Sequence, residues 1–255
     1  MRFTTIAKFR LLHVLTHSLA SFGVYLAITR DMRPWLCLSF AMFLFAGIFG
    51  VNISLHRYFS HRSFKTTKLR HYFLLFCSFF PMLGSPAAWG SVHLFHHMTS
   101  DTAQDPHSPK NAGKFGSWFT FWPSVRIPLS IFKFFGEDTS INSLHKNYFT
   151  LVTLYILILA IFDWRLVPFL FAIPAVGCFH GAAAIAVLPH LAMPGAYRNH
   201  VTRDDSFNSV PAWILSLGEG WHNNHHHNPS NYRQGEKWWE IDPAAFIIKH
   251  FLKTP

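Results

Sequence analysis

The stretch Gly218-Glu219-Gly220-Trp221-His222-Asn223-Asn224-His225-His226-His227 places four histidines within six residues. Three of them, His222, His225 and His226, stand at i, i+3 and i+4, a spacing that puts three side chains on one face of a helix. A surface helix gains little from such a face, because imidazole adds no dependable charge at neutral pH. Imidazole is also the commonest metal ligand in proteins. The pattern therefore predicts a metal-binding face, in preference to a solvated histidine tract or a purification tag.

Composition predicts an all-α integral membrane protein. Of the 255 residues, 50% are hydrophobic and 13% are charged, whereas an ordinary soluble domain has roughly 25% charged residues. The net charge of +10 would also suit a nucleic-acid-binding protein, but the basic residues bracket apolar runs and do not line a polar domain. We therefore expect no nucleic acid partner.

The three cysteines exclude an iron–sulfur or rubredoxin-type centre within the chain. Cys37, Cys77 and Cys178 lie far apart, each inside an apolar run, and none belongs to a CxxC pair. If electrons are needed, another protein has to supply them.

Four apolar stretches predict four membrane spans in two hairpins. Nineteen uncharged residues separate Arg10 from Arg30, and twenty-two separate Arg33 from His56, close to the ~20 residues that cross a bilayer. The first stretch resembles a signal peptide, but its cleavage would leave an odd number of crossings, so we retain it as a span. The prediction is a single domain, 1–255, with spans at about 11–29, 35–55, 147–162 and 166–188 and a cytosolic helical cap from 56–146 and 189–255.

Residues 71–92 form a further uncharged stretch, for which we predict a segment that does not span. A crossing there would put the histidines before it and after it on opposite sides of the membrane. Prolines and glycines also interrupt its second half. We expect residues 113–135, which include Arg126, and the tail 235–255 to lie along the lipid headgroups.

Three histidine clusters fall on one side of this topology, and only Arg30, Arg33 and Arg165 of the 22 Lys and Arg fall on the other. A ninth histidine ends the fourth span. Nine imidazoles exceed what one metal accepts, so two metals are implied, and nitrogen-rich sites suit iron, zinc or copper. The candidate ligands are His56, His61, His93, His96, His97, His190, His222, His225 and His226.

The first cluster has an unusual spacing. His56 and His61 are five residues apart, which places them on different sides of an α-helix with 3.6 residues per turn. We therefore expect a helix end or a local π-type distortion that lets them converge.

Four segments, taken together and in this order, resemble the membrane fatty acyl desaturases of the stearoyl-CoA, or Δ9, type in their bacterial short form. They are His56-Arg57-Tyr58-Phe59-Ser60-His61-Arg62-Ser63-Phe64-Lys65, His93-Leu94-Phe95-His96-His97, Asp105-Pro106-His107-Ser108-Pro109 and Gly218-Glu219-Gly220-Trp221-His222-Asn223-Asn224-His225-His226. The resemblance extends over essentially the whole chain.

The resemblance implies two iron ions, O₂ as cosubstrate and a cis double bond introduced into a saturated acyl chain carried by CoA, a phospholipid or a carrier protein. A methylene C–H bond has no useful pKa, so acid–base groups would not break it, and no catalytic residue is expected beyond the metal ligands. Electrons would come from a donor such as ferredoxin, rubredoxin or cytochrome b5 with its reductase. The active site would face the cytosol, at a bacterial inner membrane.

We expect the substrate to thread into an apolar tunnel beneath the metals and to meet Arg57, Arg62, Lys65 and Trp89. Contact with membrane headgroups is the alternative role for the three cations.

Two positions depart from the family pattern. Ala186 stands where relatives carry an asparagine, four residues before His190, so water or Asn52 would complete one metal site. Leu94 stands where relatives tend to have arginine, so the family's CoA contacts are not carried over.

Several polar residues are expected to support the site without binding metal. Candidate partners that orient the ligand imidazoles are Asp101, Asp105, Asp204, Glu219 and Asn224. Histidines within the spans, His13, His17 and His180, are expected to make interhelical hydrogen bonds. Expected non-ligands are His107, His145, His200, His227 and His250.

Two other functions fit parts of the pattern. A lipid or carotenoid hydroxylase or ketolase could use the same di-iron chassis. A metal transporter or sensor would need ionisable ligands near the bilayer midplane, and the predicted spans contain no Asp or Glu.

Overall fold

The computed structural model describes residues 3–119 and 127–254, and the regular secondary structure in this part of the chain is helical, without a β-strand. Four helices in it are long and apolar enough to cross a membrane, which confirms the predicted all-α fold with four spans. They are Thr5–Thr29, Pro34–Ser60, Thr139–Asp163 and Val167–His190. Arg126, in the stretch expected to lie along the headgroups, falls outside the described residues.

The remaining helices are short and form the cap around the candidate metal ligands. They are Lys68–Cys77, Pro86–Thr99, Pro109–Phe119, Leu129–Gly136, Val210–Leu215, His222–His227, and Pro243–Ile247 continued by Ile248–Leu252.

The helix that contains the third predicted span begins at Thr139, before the predicted start of the span at residue 147. Asp138 caps the helix that starts at Thr139, because its side chain accepts hydrogen bonds from the amides of Ser140 and Ile141. A capped amide end is stable in water as well as in lipid, so the helix continues beyond the apolar stretch on which the prediction was based.

The stretch 71–92 is not one long helix, which agrees with the prediction that it does not span. Helix Lys68–Cys77 ends before a turn, and Ser85 then caps helix Pro86–Thr99 by accepting a hydrogen bond from the amide of Ala88. In the turn, Gly84 has φ of 103° and donates its amide to the Tyr148 hydroxyl at 3.0 Å. The chain thereby turns between two short helices, and neither of them is long enough to be a candidate span.

The second span changes its winding before it reaches the candidate ligands. Its first part, Pro34–Phe45, is α-helical, and its second part, Ala46–Ser60, is a π-helix. At the end of the π segment the amide of His61 donates to the carbonyl of His56 at 3.1 Å, five residues back. The two imidazole rings lie 4.9 Å apart, centroid to centroid. The expected π-type distortion is confirmed.

The spans and the cap share an apolar core. The first span packs against the fourth, and the π segment packs against the helix that carries His93, His96 and His97. Leu55, Trp89 and Phe171 lie in this core. The two hairpins therefore support the elements that bring the histidine clusters together.

Gly50 lies where the π segment meets the turn after helix Lys68–Cys77. A β-carbon at Gly50 would stand 2.7 Å from the Cys77 carbonyl oxygen and 2.6 Å from Pro81 Cγ. We expect Gly50→Ala to lower the free energy of unfolding by roughly 1–3 kcal/mol. Thermal unfolding in detergent measures this change. The control is Gly136→Ala, whose β-carbon would have no heavy atom within 4 Å; equal midpoints for the two variants would contradict the packing described here.

Candidate metal centre

All nine predicted ligands lie in two adjacent groups. The five-histidine group consists of His56, His61, His93, His97 and His225, and the four-histidine group of His96, His190, His222 and His226. Within each group the candidate ligand atoms all lie within 4.8 Å of one another. Two groups of this size suit two metal ions, as the count of imidazoles predicts.

Each HxxHH motif contributes to both groups. In helix Pro86–Thr99, the i and i+4 histidines, His93 and His97, belong to the five-histidine group, and His96 belongs to the other. In helix His222–His227 the assignment is reversed, since only His225 joins the five-histidine group. The single ligand face expected from spacing therefore serves two sites.

A buried asparagine holds the short helix His222–His227 in place. Asn208 Oδ1 accepts hydrogen bonds from the amides of Asn223 at 3.0 Å and Asn224 at 3.3 Å. The side chain of Asn224 bonds to Asn208 and Glu240. Asn224 was expected to orient a ligand imidazole, and the structure instead gives it a structural role within this network.

Four buried carboxylates, all named from the sequence as candidate partners, hydrogen-bond to ligand histidines. Each accepts a bond from Nδ1 of one imidazole, at 2.7 to 2.9 Å. An ionised carboxylate only accepts hydrogen bonds, so the Nδ1 atom carries the proton and Nε2 is left with a free lone pair. The pairs are His56 with Glu219, His96 with Asp105, His190 with Asp101, and His226 with Asp204.

The Nε2 atoms within each group converge on a common region, as the ligands of a metal ion do. His56 Nε2 lies 3.0 Å from Nε2 of His225, and His190 Nε2 lies 3.2 Å from Nε2 of His222. His226 Nε2 is buried without a hydrogen-bond partner among the described residues. Converging lone pairs repel unless a cation lies between them, so the donor set fits two divalent metals that accept nitrogen ligands.

The surroundings keep several imidazoles of the two groups neutral. Burial, followed by repulsion from neighbouring imidazoles, holds the pKa of His93, His97, His222 and His225 well below the usual value. Burial also lowers the pKa of His226 to about 4, although Asp204 opposes this shift. Neutral imidazole is the form that binds metal, so these ligands need lose no proton at pH 7.

Arg57 is buried beneath the five-histidine group, with 1% of its surface exposed. Its guanidinium donates to Glu219 Oε1 at 2.8 and 3.1 Å, to Asp242 Oδ1 at 2.8 Å and to the carbonyl of Tyr232 at 2.7 Å. Burial alone would raise the pKa of Glu219, but Arg57 and His56 lower it to about 2. Glu219 is therefore ionised when it orients His56.

The other expected substrate contacts lie in different surroundings. Arg57 does not reach the protein surface, because its hydrogen bonds hold it inside the protein. This corrects the expectation that it meets a substrate headgroup. Arg62 is exposed and lies over the Phe134 ring, 3.6 Å from its centroid. Lys65 is also exposed. Trp89 is buried and stacks on His93 with 4.8 Å between ring centroids.

An apolar cavity of about 60 Å³ extends from the histidines between the second and fourth spans. At one end it contacts ligands of both groups, namely His56 and His93 of one and His96 and His222 of the other. Trp89 and Ala186 lie beside these ligands, and Phe43 and Leu217 lie farther along the lining. Asn52 also faces the cavity, with its amide nitrogen donating to the carbonyls of Ser216 and Leu217 at 2.9 and 3.2 Å.

A second, open cleft reaches the five-histidine group at His61 and His97. Its other lining residues are mostly apolar: Leu94, Met98, Ser130, Ile131, Phe134 and Pro229. The four-histidine group does not contribute to this cleft as described.

The five histidines expected as non-ligands belong to neither group. Within the spans, His180 accepts a hydrogen bond from the Trp118 indole at 2.9 Å, which is an interhelical bond as expected. The His17 ring instead donates to the carbonyl of His13 at 2.7 Å, in its own helix. This hydrogen bond is not the interhelical bond that was expected for His17.

Sequence reasoning missed Asp242 and Gln234. Gln234 donates to Glu219 at 2.6 Å, and Asp242 accepts from Arg57. The dipeptide Asp242-Pro243 signals a helix start, and Asp242 does cap that helix. Nothing local in the sequence indicates that the same carboxylate also meets Arg57.

Comparison with known proteins covers all nine histidines and three of the four spans. Residues 33–254 match the model of the family described as fatty acid desaturase. Delta-9 acyl-lipid desaturase 2 of Arabidopsis thaliana is 32% identical over 82% of this chain and 69% of its own length. The sn-1 stearoyl-lipid 9-desaturase of Anabaena variabilis is 32% identical over 89% of this chain and 85% of its own length. The acyl-CoA C20 Delta5-desaturase of Anemone leveillei is 32% identical over 84% of this chain and 69% of its own length.

Arg57→Gln tests the buried network beneath the five-histidine group. The variant leaves Glu219 and Asp242 as buried carboxylates without a cation, so we expect unfolding to become easier by roughly 3–5 kcal/mol. Thermal or denaturant unfolding in detergent measures the loss. The matched control is Arg33→Gln, which breaks an exposed pair with Asp31 and should change stability little. Similar losses in both variants would refute a structural role for Arg57.

Proposed function

This chain belongs to the fatty acid desaturase family, and we propose that it introduces a cis double bond at the Δ9 position of a saturated acyl chain, using two iron ions held by the nine histidines. Family membership makes it a multi-pass membrane oxidoreductase that acts on fatty acyl chains. The metal identity, the bond position, the acyl carrier and the electron donor belong to the proposal.

The cavity between the second and fourth spans supports the proposal most directly. It is lined mainly by apolar side chains, and it contacts ligands of both histidine groups at one end. A hydrocarbon chain placed along it would present its methylenes to both metals while the lining excludes water. A site built only for metal storage or transport has no need of such a cavity.

Iron bound at the two groups would supply, with O₂, the oxidation of two unactivated C–H bonds. Removal of two hydrogens with one O₂, two electrons and two protons leaves two molecules of water, so electrons and protons must both reach the centre. The protein's own residues orient the ligands and hold the chain. Trp89, stacked on His93, closes the side of the cavity next to the ligands and leaves little room there for solvent.

The Δ9 position is proposed from the relatives, and the cavity bears on how much of the acyl chain extends beyond the reacting carbons. Phe43 lies thirteen residues before His56 on the second span, and both line the cavity. The Phe43 ring packs on Gly177, where a β-carbon would come within 2.6 Å of Phe43 Cδ2. A fixed ring at this depth limits how many carbons extend beyond the reacting pair. Two of the relatives above are named as Δ9 or 9-desaturases.

We propose a membrane lipid as the acyl carrier. Leu94 replaces the arginine usual at its position, and the cleft over His61 and His97 is mostly apolar. Arg57, one of the cations expected to meet a headgroup, is buried. Relatives named as acyl-lipid desaturases support this choice, and the relative named as an acyl-CoA desaturase makes CoA the alternative to test.

The electron donor is proposed to be a separate acidic redox protein, such as ferredoxin, rubredoxin or cytochrome b5 with its reductase. The chain has a net charge of +10, and opposite charge accelerates the encounter of two proteins. The distribution of Lys and Arg along the sequence supports a cytosolic site at a bacterial inner membrane.

Expression in a host with few unsaturated lipids, followed by gas chromatography–mass spectrometry of its lipid classes, tests this function. We expect new cis-Δ9 acyl chains on glycerolipids, and we expect His190→Ala to abolish them and to lower the bound metal. His250→Ala, which changes an exposed histidine outside both groups, should retain activity.

Three outcomes would count against the proposal. New hydroxy or keto lipids without new unsaturation would indicate a hydroxylase or ketolase. Unsaturation that appears first on acyl-CoA would contradict the lipid carrier. Full activity in His190→Ala would remove that residue from the ligand set.

Phe43→Ala tests the far part of the cavity. Removal of the ring lengthens the apolar space, so we expect preference to move several-fold toward longer chains. Gly177→Ala should have the opposite effect, because the added methyl pushes the ring into the cavity. Product chain lengths from mixed saturated substrates report both shifts. The control is Phe40→Ala, an outward-facing residue on the same helix with 59% exposure; an equal shift in the control would show that Phe43 does not set the length.

A further inference from the structure

The two histidine groups differ in the charge that surrounds them. Three of the four carboxylates that bond to ligand imidazoles, Asp101, Asp105 and Asp204, belong to the four-histidine group. Among the described residues, Glu219 is the one carboxylate bonded to an imidazole of the five-histidine group. All four side chains are at least nine-tenths buried, so solvent screens their charge little.

The single carboxylate beside the five-histidine group is already paired with a cation. The Arg57 guanidinium lies 2.8 Å from Glu219 and 2.8 Å from Asp242, so this buried triad of one cation and two carboxylates keeps a single net negative charge. Within residues 3–119 and 127–254, the three aspartates of the other group form no ion pair with Lys or Arg. The nearby Lys110 pairs with Asp205 at the surface instead.

This difference decides where a divalent cation is better compensated. In the four-histidine group, three negative charges stand just outside the candidate ligands. In the five-histidine group a fifth imidazole adds one bond but no charge, so only the single net negative charge of the Glu219–Arg57–Asp242 triad compensates a buried divalent ion, which is costly. Loss of one outer partner typically lowers metal affinity 10–100-fold, and three such partners outweigh one that is shared with Arg57.

The exposure of the two histidine groups to solvent also indicates that the five-histidine group holds a metal ion less firmly. His61, His93 and His97 of the five-histidine group are partly exposed, and two of them line the open cleft. In the four-histidine group only His226 is partly exposed. A ligand or chelator from solvent therefore reaches the five-histidine group more easily.

We propose that the two groups hold their metal ions unequally: the four-histidine group, buttressed by Asp101, Asp105 and Asp204, keeps its ion after the five-histidine group has lost its own. This inference rests on the proposed function in one respect, namely that two metals are bound.

Timed exposure of the purified, metal-loaded full-length protein to a chelator such as EDTA tests the inference, with retained metal measured by mass spectrometry. We expect one equivalent to leave at least tenfold faster than the other. Asp204→Asn should accelerate the slow step 10–100-fold and leave the fast step unchanged. Glu219→Gln should accelerate only the fast step. Asp205→Asn, which changes a neighbouring surface carboxylate, should alter neither step.

Size-exclusion chromatography before and after the chelator separates metal loss from unfolding, and Asp101→Asn is the second variant at the four-histidine group. Loss of both equivalents at one rate would overturn the inference, as would acceleration of the slow step by Glu219→Gln alone. A protein that binds no metal would instead contradict the proposed function. The two failures are thereby distinguishable.

Discussion

The hydrogen bond from an imidazole Nδ1 to a buried carboxylate is the interaction on which the rest of this structure depends. Nine imidazoles have no reason of their own to converge in an apolar interior, because their ring nitrogens are polar and lose contact with water there. The carboxylates fix the tautomer and direction of four of the rings, and the buried network of Arg57 and Asp242 holds one of those carboxylates in turn. The cap helices and the turns between them place these acidic residues within reach. The spans supply the rigid base to which the cap is attached.

Much of this arrangement could be predicted because it follows local spacing. Three imidazoles at i, i+3 and i+4 indicate a ligand face whatever surrounds them, and the five-residue spacing of His56 and His61 indicates a π-type winding. Span number followed from apolar length. The boundary at Thr139 did not, because a polar cap extends a helix beyond the apolar stretch on which the prediction relied.

The misinterpreted residues share one property: their role depends on contacts with residues distant in sequence. Arg57 is a cation between other polar residues, and the sequence gives no sign that Asp242, 185 residues later, meets it inside the protein. Asn224 lies beside a ligand but faces Asn208 and Glu240. The division of each HxxHH motif between two groups likewise depends on which helix stands opposite, and spacing within one motif contains no information on that.

That division also determines what would set the separation of two metal ions bound at the two groups. Helices Pro86–Thr99 and His222–His227 each provide candidate ligands to both groups. One turn of each helix therefore sets the distance between the two groups. Helical geometry varies much less than the packing of one span against another. A displacement of one span relative to another would therefore change the spacing of the two groups less than a change within these two helices. The separation of the two groups is therefore set by these two helices and not by the packing of the spans.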